Sequence, residues 1–159
     1  MEQTNKIGLQ DNQVKELIEK LNDLLANYQV FYQNTRGFHW NIRGHKFFEL
    51  HVKFEELYND LHAKIDEIAE RILTLGGTPV HTFNDYSSLS QVKAVKNASE
   101  DVACVQGVLD ALKILLEKQR VILDLSDEMN DEGTNAMASD YIREQEKLVW
   151  MYSSWLNDK

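Results

Sequence analysis

Four stretches of this chain repeat apolar residues every three or four positions, the period of one face of an α-helix. In the first, Val14, Leu17, Ile18, Leu21, Leu24, Leu25, Tyr28, Phe31, Tyr32 and Thr35 keep that spacing and predict a long helix ending near Arg43 and Gly44. The second carries Leu50, Phe54, Leu57, Leu61, Ile65, Ile68, Ile72 and Leu75 and stops at Gly76 and Gly77, with Pro79 just beyond. The third runs through Val102, Val105, Leu109, Leu112, Leu116 and Leu123, opened by Asn97 or Ser99 as a cap and ending in the acidic stretch 127–133. A fourth runs through Met137, Tyr141, Leu148, Tyr152 and Trp155, opened by Thr134 or Asn135.

Residues 78–97 are too many for a tight turn and too few for another full-length helix. They read as a crossover, with a short helix through Leu89, Val92 and Val95 capped by Ser88 or Ser90. A single proline among these periodic segments points to an all-α protein. Four long helices with one long crossover between the second and third give the ferritin-like form of the four-helix bundle. The organisation expected is a flexible arm over residues 1–12, which lack apolar periodicity, and one bundle domain over 13–159.

Charge narrows the choice of partner. With 26 acidic and 17 basic residues the chain carries −9, which disfavours nucleic acid and anionic membranes and suits a protein that gathers cations. The lone Cys104 excludes an intrachain disulfide and falls on an apolar helical face, so it reads as a packing residue. No apolar run reaches membrane length and the first residues hold no hydrophobic signal region, so a cytoplasmic, reducing location is expected.

The candidate chemistry lies between His39 and Gly77. Asp66 and Glu70 are four apart, so one helix face carries both carboxylates, half of a site for a hard cation or iron. His39 and His51 flank the Arg43-Gly44 turn, and an antiparallel hairpin brings their imidazoles together. Imidazole turns an oxygen cage into a transition-metal site. His51 and Asp66, however, lie on one periodic segment, and fifteen residues of helix span roughly 22 Å. If the four form one site, it has to sit on a two-fold interface, with histidines from one chain and carboxylates from its neighbour.

A ferritin-like bundle ordinarily builds a di-iron site inside one subunit from Glu-x-x-His motifs. The residues three before His39, His45, His51, His62 and His81 are Arg36, Ile42, Phe48, Asn59 and Thr78, so that motif is missing. This absence and the segments H-W-N-I-R-G-H-K-F-F-E-L-H (39–51) and D-E-I-A-E-R-I-L-T-L-G-G-T-P (66–79) closely resemble the Dps family, small ferritin-like iron-storage proteins named for DNA protection in starved cells. The resemblance covers nearly the whole chain.

It implies a hollow homo-dodecamer whose two-fold interfaces hold ferroxidase sites of two irons each. There Fe(II) would be oxidised, preferably by hydrogen peroxide, and stored inside as ferric mineral. His39 and His51 match the family's imidazole ligands, and Asp66 and Glu70 its carboxylates from the adjacent subunit. Glu55 stands where the family often holds an acid for the second iron, and Trp40 matches the aromatic beside the site, able to quench oxidising equivalents. The family also places an acidic pore at the junction of the third and fourth helices. Asp127 and Glu132 match two of its acids, the third position is Ala136, and Asp131 or Asp140 is a substitute.

Other residues have plainer readings. His45, His62 and His81 read as surface or interface residues, Arg71 as a salt-bridge partner, and Trp150 and Trp155 as packing. The family name raises a second function, nucleoid binding and DNA protection. Residues 1–13 hold only Lys6 against Glu2 and Asp11 before the helix continues, and the net charge repels phosphate, which argues against direct DNA binding. A third, a catalytically silent helical cage, would be favoured by loss of a ligand, and none is lost.

Overall fold

A computed structural model describes residues 3–157. Its helices are α1 (Asp11–Asn41), α2 (Phe47–Thr74), α3 (Phe83–Leu89), α4 (Asp101–Glu128) and α5 (Glu132–Trp155). This is the all-α four-helix bundle with a short helix in the crossover. α1 packs along α2 and α4, α4 along α5, and α3 rests on α1. The predicted stripes meet in one core: Leu17, Leu21, Tyr28 and Phe31 of α1, Phe54, Leu61, Ile68 and Ile72 of α2, and Val105 and Leu112 of α4 are all buried, joined by Leu115, which the predicted stripe omitted, while Val102 is exposed. Each aliphatic or aromatic side chain of this size stabilises by about 1.5–3 kcal/mol when fully buried.

The α2 stop has a double cause. Gly76 takes φ +93°, a left-handed conformation that side chains disfavour, and a Cβ on Gly77 would lie 2.8 Å from the Ile18 side chain of α1. α1 ends at Asn41, two residues before the predicted turn, and Gly44 at φ +108° reverses the chain into α2.

Three predicted caps need correction. α3 is capped by Thr82, whose hydroxyl accepts from the Asp85 N–H, and it ends before Val92 and Val95. α4 begins after Glu100, with Asp101 in its first turn against the helix dipole. Ser99 contributes a backbone carbonyl that accepts from Arg43 N–H instead of a cap. α5 is capped by Asp131, which accepts from Thr134 N–H, so Thr134 lies inside the first turn.

The crossover is fastened by asparagines of α1. Asn27 Oδ1 accepts from Ser90 Oγ and from the N–H groups of Gln91 and Val92. Asn34 donates to Lys93 O and accepts from Val95 N–H, and Asn22 does the same with Thr78 O and Val80 N–H. The expected N-terminal arm is, over residues 3–10, a closed loop: Thr4 bridges to Gln10, and Asn5 donates to Leu75 O at the end of α2.

Deep in the bundle Tyr28 Oη donates to Gln119 (2.5 Å), Gln119 to Gln145 (2.8 Å) and Gln145 back to Tyr28 (2.6 Å). This closed ring of three uncharged groups joins α1, α4 and α5 where water does not reach. Cys104 is buried as expected, and burial, with Glu100 and Asp101 nearby, pushes its thiol up to about 11. Trp155 packs on the core, but Trp150 is 65% exposed, contrary to its expected packing role, because it lies on the outward face of α5. Among the described residues no helix is long and apolar enough to cross a membrane.

Candidate metal centre

The α1–α2 hairpin sets the two imidazoles face to face. The rings of His39 and His51 stack with centroids 3.8 Å apart and planes 12° from parallel. His39 Nδ1 lies 2.6 Å from His51 O, and His51 Nδ1 lies 2.7 Å from His39 O. A carbonyl only accepts, so each Nδ1 carries the proton, and the neutral ring keeps its lone pair on Nε2. This reciprocal pair fixes one tautomer of both histidines, the one that leaves Nε2 as an acceptor.

Aromatic rings hold the pair in place. Phe47 stacks on the other face of His51 at 4.9 Å, and Tyr58 meets His39 edge-on at 5.3 Å. The Arg36 guanidinium lies over Trp40 (4.8 Å), Tyr32 (5.4 Å) and Tyr58 (5.8 Å), with no carboxylate partner among the described residues. Trp40 itself is exposed. Phe47, Tyr58 and Arg36 escape a sequence reading, although their offsets of four, seven and three from the histidines put them on the same helix faces.

The carboxylates lie elsewhere. α2 runs unbroken from Phe47 to Thr74, so His51 and Asp66 are roughly 22 Å apart along its axis. Asp66, Glu70 and Glu55 are exposed, and their side chains make no hydrogen bond or ion pair among the described residues. Within the protomer no group of three or more His, Cys, Asp or Glu gathers to hold a metal, again among the described residues. The structure therefore brings the two histidines together and leaves the carboxylate pair apart from them.

Beside Glu70 a cavity of about 410 Å³ is lined by Glu67, Arg71, Asp140 and Tyr141. The Tyr141 hydroxyl donates to the Glu67 carboxylate. Burial, and then this bond to an anion, holds the Tyr141 phenol far above its ordinary pKa. Lys64 Nζ lies 5.0 Å over the same ring and pairs with Asp60 (2.8 Å) and Glu144 (2.7 Å). Burial works against the Lys64 ammonium, but the two carboxylates outweigh it and raise its pKa.

The candidate pore acids separate into two kinds. Asp127 and Glu132 are exposed on either side of the α4–α5 turn, as is Ala136. Asp131 is only 2% exposed: it caps α5, bonds the Thr134 hydroxyl and pairs with Arg71 at 2.6 Å, while Arg71 Nε donates to Thr134 at 2.8 Å. This partly buried ion pair ties up the Asp131 carboxylate and gives Arg71 the salt-bridge role read from the sequence. Asp140 is exposed and pairs with Arg143 at 3.2 Å. His45, His62 and His81 are exposed.

A model of the ferritin-like domain matches residues 18–159. The DNA protection during starvation protein of Porphyromonas gingivalis is 44% identical over 148 residues, 93% of this chain and 93% of that protein. A protein of Haemophilus influenzae is 55% identical over 148 residues, 93% of this chain and 92% of its own. The crystal structure of the Dps protein from Vibrio cholerae O1, described as a member of a broad superfamily of ferritin-like diiron-carboxylate proteins, superposes with a TM-score of 0.95. It shares 57% identity and covers 96% of both chains. On these matches and on its fold, the chain belongs to the Dps family of ferritin-like proteins.

Proposed function

We propose that the protein oxidises and stores iron, with Fe(II) and hydrogen peroxide as substrates, at sites shared by two-fold-related subunits of a dodecameric cage. The observation that carries this reading is the His39–His51 pair. Both Nδ1 protons are tied to backbone carbonyls and both Nε2 lone pairs are left for a ligand, while the carboxylates suited to complete the site lie roughly 22 Å along the same helix. A second copy related by a two-fold axis supplies Asp66 and Glu70 to one protomer's histidines and receives the same in return.

In the overall reaction two Fe(II) give up one electron each, the O–O bond of peroxide breaks, and two hydroxides form. The two imidazoles offer neutral nitrogen donors, and Asp66 and Glu70 would offset the cations' charge and so weaken the repulsion between two ions. Glu55, one turn after His51, is the acid for the second, looser ion. So few protein ligands leave coordination positions for peroxide. Asp127 and Glu132 are the candidate entry-pore acids, and the ferric product is held as mineral in the cage.

Relatives carry the name DNA protection during starvation. In this chain the protection works by removing Fe(II) and peroxide together. A charge of −9 per chain opposes direct contact with phosphate, so plasmid DNA is expected to migrate unretarded at neutral pH and ordinary salt. The decisive experiment loads the assembly anaerobically with Fe(II), adds peroxide, and follows absorbance and light scattering. Rapid oxidation at two Fe(II) per peroxide in a particle of constant size supports the reading. Oxidation no faster than in buffer, with the particle intact, overturns it in favour of a silent cage.

A further inference from the structure

We propose that Arg71 positions the carboxylate end of α2 for iron by gripping the start of α5 with both arms of its guanidinium. The proposal rests on the ferroxidase reading above and extends it to the group that aims Asp66 and Glu70.

Those two carboxylates have no hydrogen bond or ion pair among the described residues, so the helix that carries them sets their direction. The polar links from α2 to α5 gather at this end. Lys64 pairs with Glu144 at 2.7 Å, Glu67 accepts from the Tyr141 hydroxyl, and Arg71 holds Asp131 at 2.6 Å and Thr134 at 2.8 Å. Positions 64, 67 and 71 share one face of the helix. Toward the histidines α2 and α5 are separated instead by a cavity of about 430 Å³ lined by Leu50, Leu57, Leu148 and Tyr152. There no hydrogen bond or ion pair joins the two helices among the described residues.

Arg71 makes the most exacting of these links. Its Nη2 donates to Asp131 and its Nε to the Thr134 hydroxyl, and that hydroxyl donates in turn to Asp131, so the three close a triangle. Asp131 and Thr134 are both buried at the start of α5. The guanidinium also lies against Gly133, where a Cβ would come within 2.7 Å of Nη1. A planar fork held at two nitrogens and pressed on one side has little freedom to turn. Asp66 and Glu70 each precede a member of this face, Glu67 and Arg71, by one residue, so they stand ~100° round the helix from it. A turn of α2 by ~10° carries a carboxylate ~5–6 Å from the axis through roughly 1 Å, against a tolerance of ~0.2 Å in a metal–ligand bond. Side-chain torsions correct part of that error, but not the place from which the side chain starts.

The test is Co(II) titration of the intact assembly, read by visible absorption, beside steady-state oxidation of Fe(II) by peroxide. Arg71→Lys keeps the charge but has no fork to hold two partners. It is expected to weaken Co(II) binding about 5- to 10-fold, at or just below the low end of what loss of a ligand's supporting group costs, and to change the shape of the absorption band. KM for Fe(II) should rise with kcat little changed, the mark of weakened binding rather than lost chemistry. Gly133→Ala pushes the guanidinium aside without removing a charge or a donor, and alanine suits a helix, so affinity should fall in the same direction with the fold intact. Lys118→Met breaks an ion pair of equal length, 2.6 Å to Asp23 between α4 and α1, and should leave Co(II) affinity unchanged. Unsubstituted affinity and spectrum in both Arg71→Lys and Gly133→Ala overturn the proposal, as does an equal loss in Lys118→Met, while the ferroxidase reading stands. An unsubstituted assembly that binds Co(II) no more tightly than its His39→Ala/His51→Ala variant overturns both.

Discussion

The two ends of α2 are prepared to different degrees. At its start, His51 is stacked between His39 and Phe47, and its Nδ1–H is bonded to a backbone carbonyl. Within about two turns of its end, Asp66 and Glu70 stand exposed, their carboxylates without a hydrogen bond or ion pair among the described residues. The difference follows from the chemistry of the donors. An imidazole binds metal through one nitrogen, in one direction, and only in the right tautomer, so its surroundings must settle all three in advance. A carboxylate offers two oxygens and several lone pairs, and an approaching cation can orient it. In the proposed site the protomer would fix the demanding half and leave the tolerant half free.

Breaking the fixed half should have the largest effect. Replacing His39 and His51 together by Ala is expected to slow peroxide-driven iron oxidation at least about 100-fold, from the loss of both nitrogen donors. The particle should stay intact by light scattering. Next comes the tolerant half, where Asp66→Ala is expected to slow oxidation about 10- to 100-fold. Dissociating and remixing the two inactive variants sharpens the comparison. Random pairing across a two-fold interface restores about a quarter of the sites, because each mixed pair holds one intact set of ligands. Absence of any recovery after remixing would show that the halves are not shared between chains. A smaller effect is expected from Phe47→Leu, which removes the ring from His51 but keeps apolar bulk: apparent Fe(II) affinity should weaken about 3- to 10-fold, as for loss of an outer support of a ligand. Titration with Co(II), read by its visible absorption, measures it. Affinity equal to that of the unsubstituted protein would mean that the reciprocal backbone bonds suffice to position His51.

This asymmetry also marks what sequence can show. The helices follow from apolar period, and the histidine pair from its spacing around Gly44, because both are local patterns. The carboxylate pair is local too, at i and i+4. The fastening of the crossover is not: Asn27 meets Gln91 and Val92 from 64 and 65 residues away, and no pattern near Asn27 announces it. The same applies to Asp131, which reads as one acid in an acidic run. Its partner Arg71 is 60 residues distant, and that contact, with the bonds to Thr134, separates it from the exposed Asp127 and Glu132. The misplaced caps have a related cause. Ser99 and Asn97 have suitable side chains for opening α4, but the Arg43 N–H at the hairpin takes the Ser99 carbonyl and the helix starts two residues later.

The Tyr28–Gln119–Gln145 ring has a consequence for when the protein is ready. Bundles that keep a metal at their centre bury ligands that need the ion, and there metal affinity and folding are one free energy. Here the centre is already satisfied by three uncharged side chains, so nothing inside the bundle waits for an ion. For protein purified without iron, a strong chelator should therefore leave the melting temperature within about 1 °C of its starting value, since a ligand stabilises only what it binds. The bundle can fold and stand complete before the first ion comes.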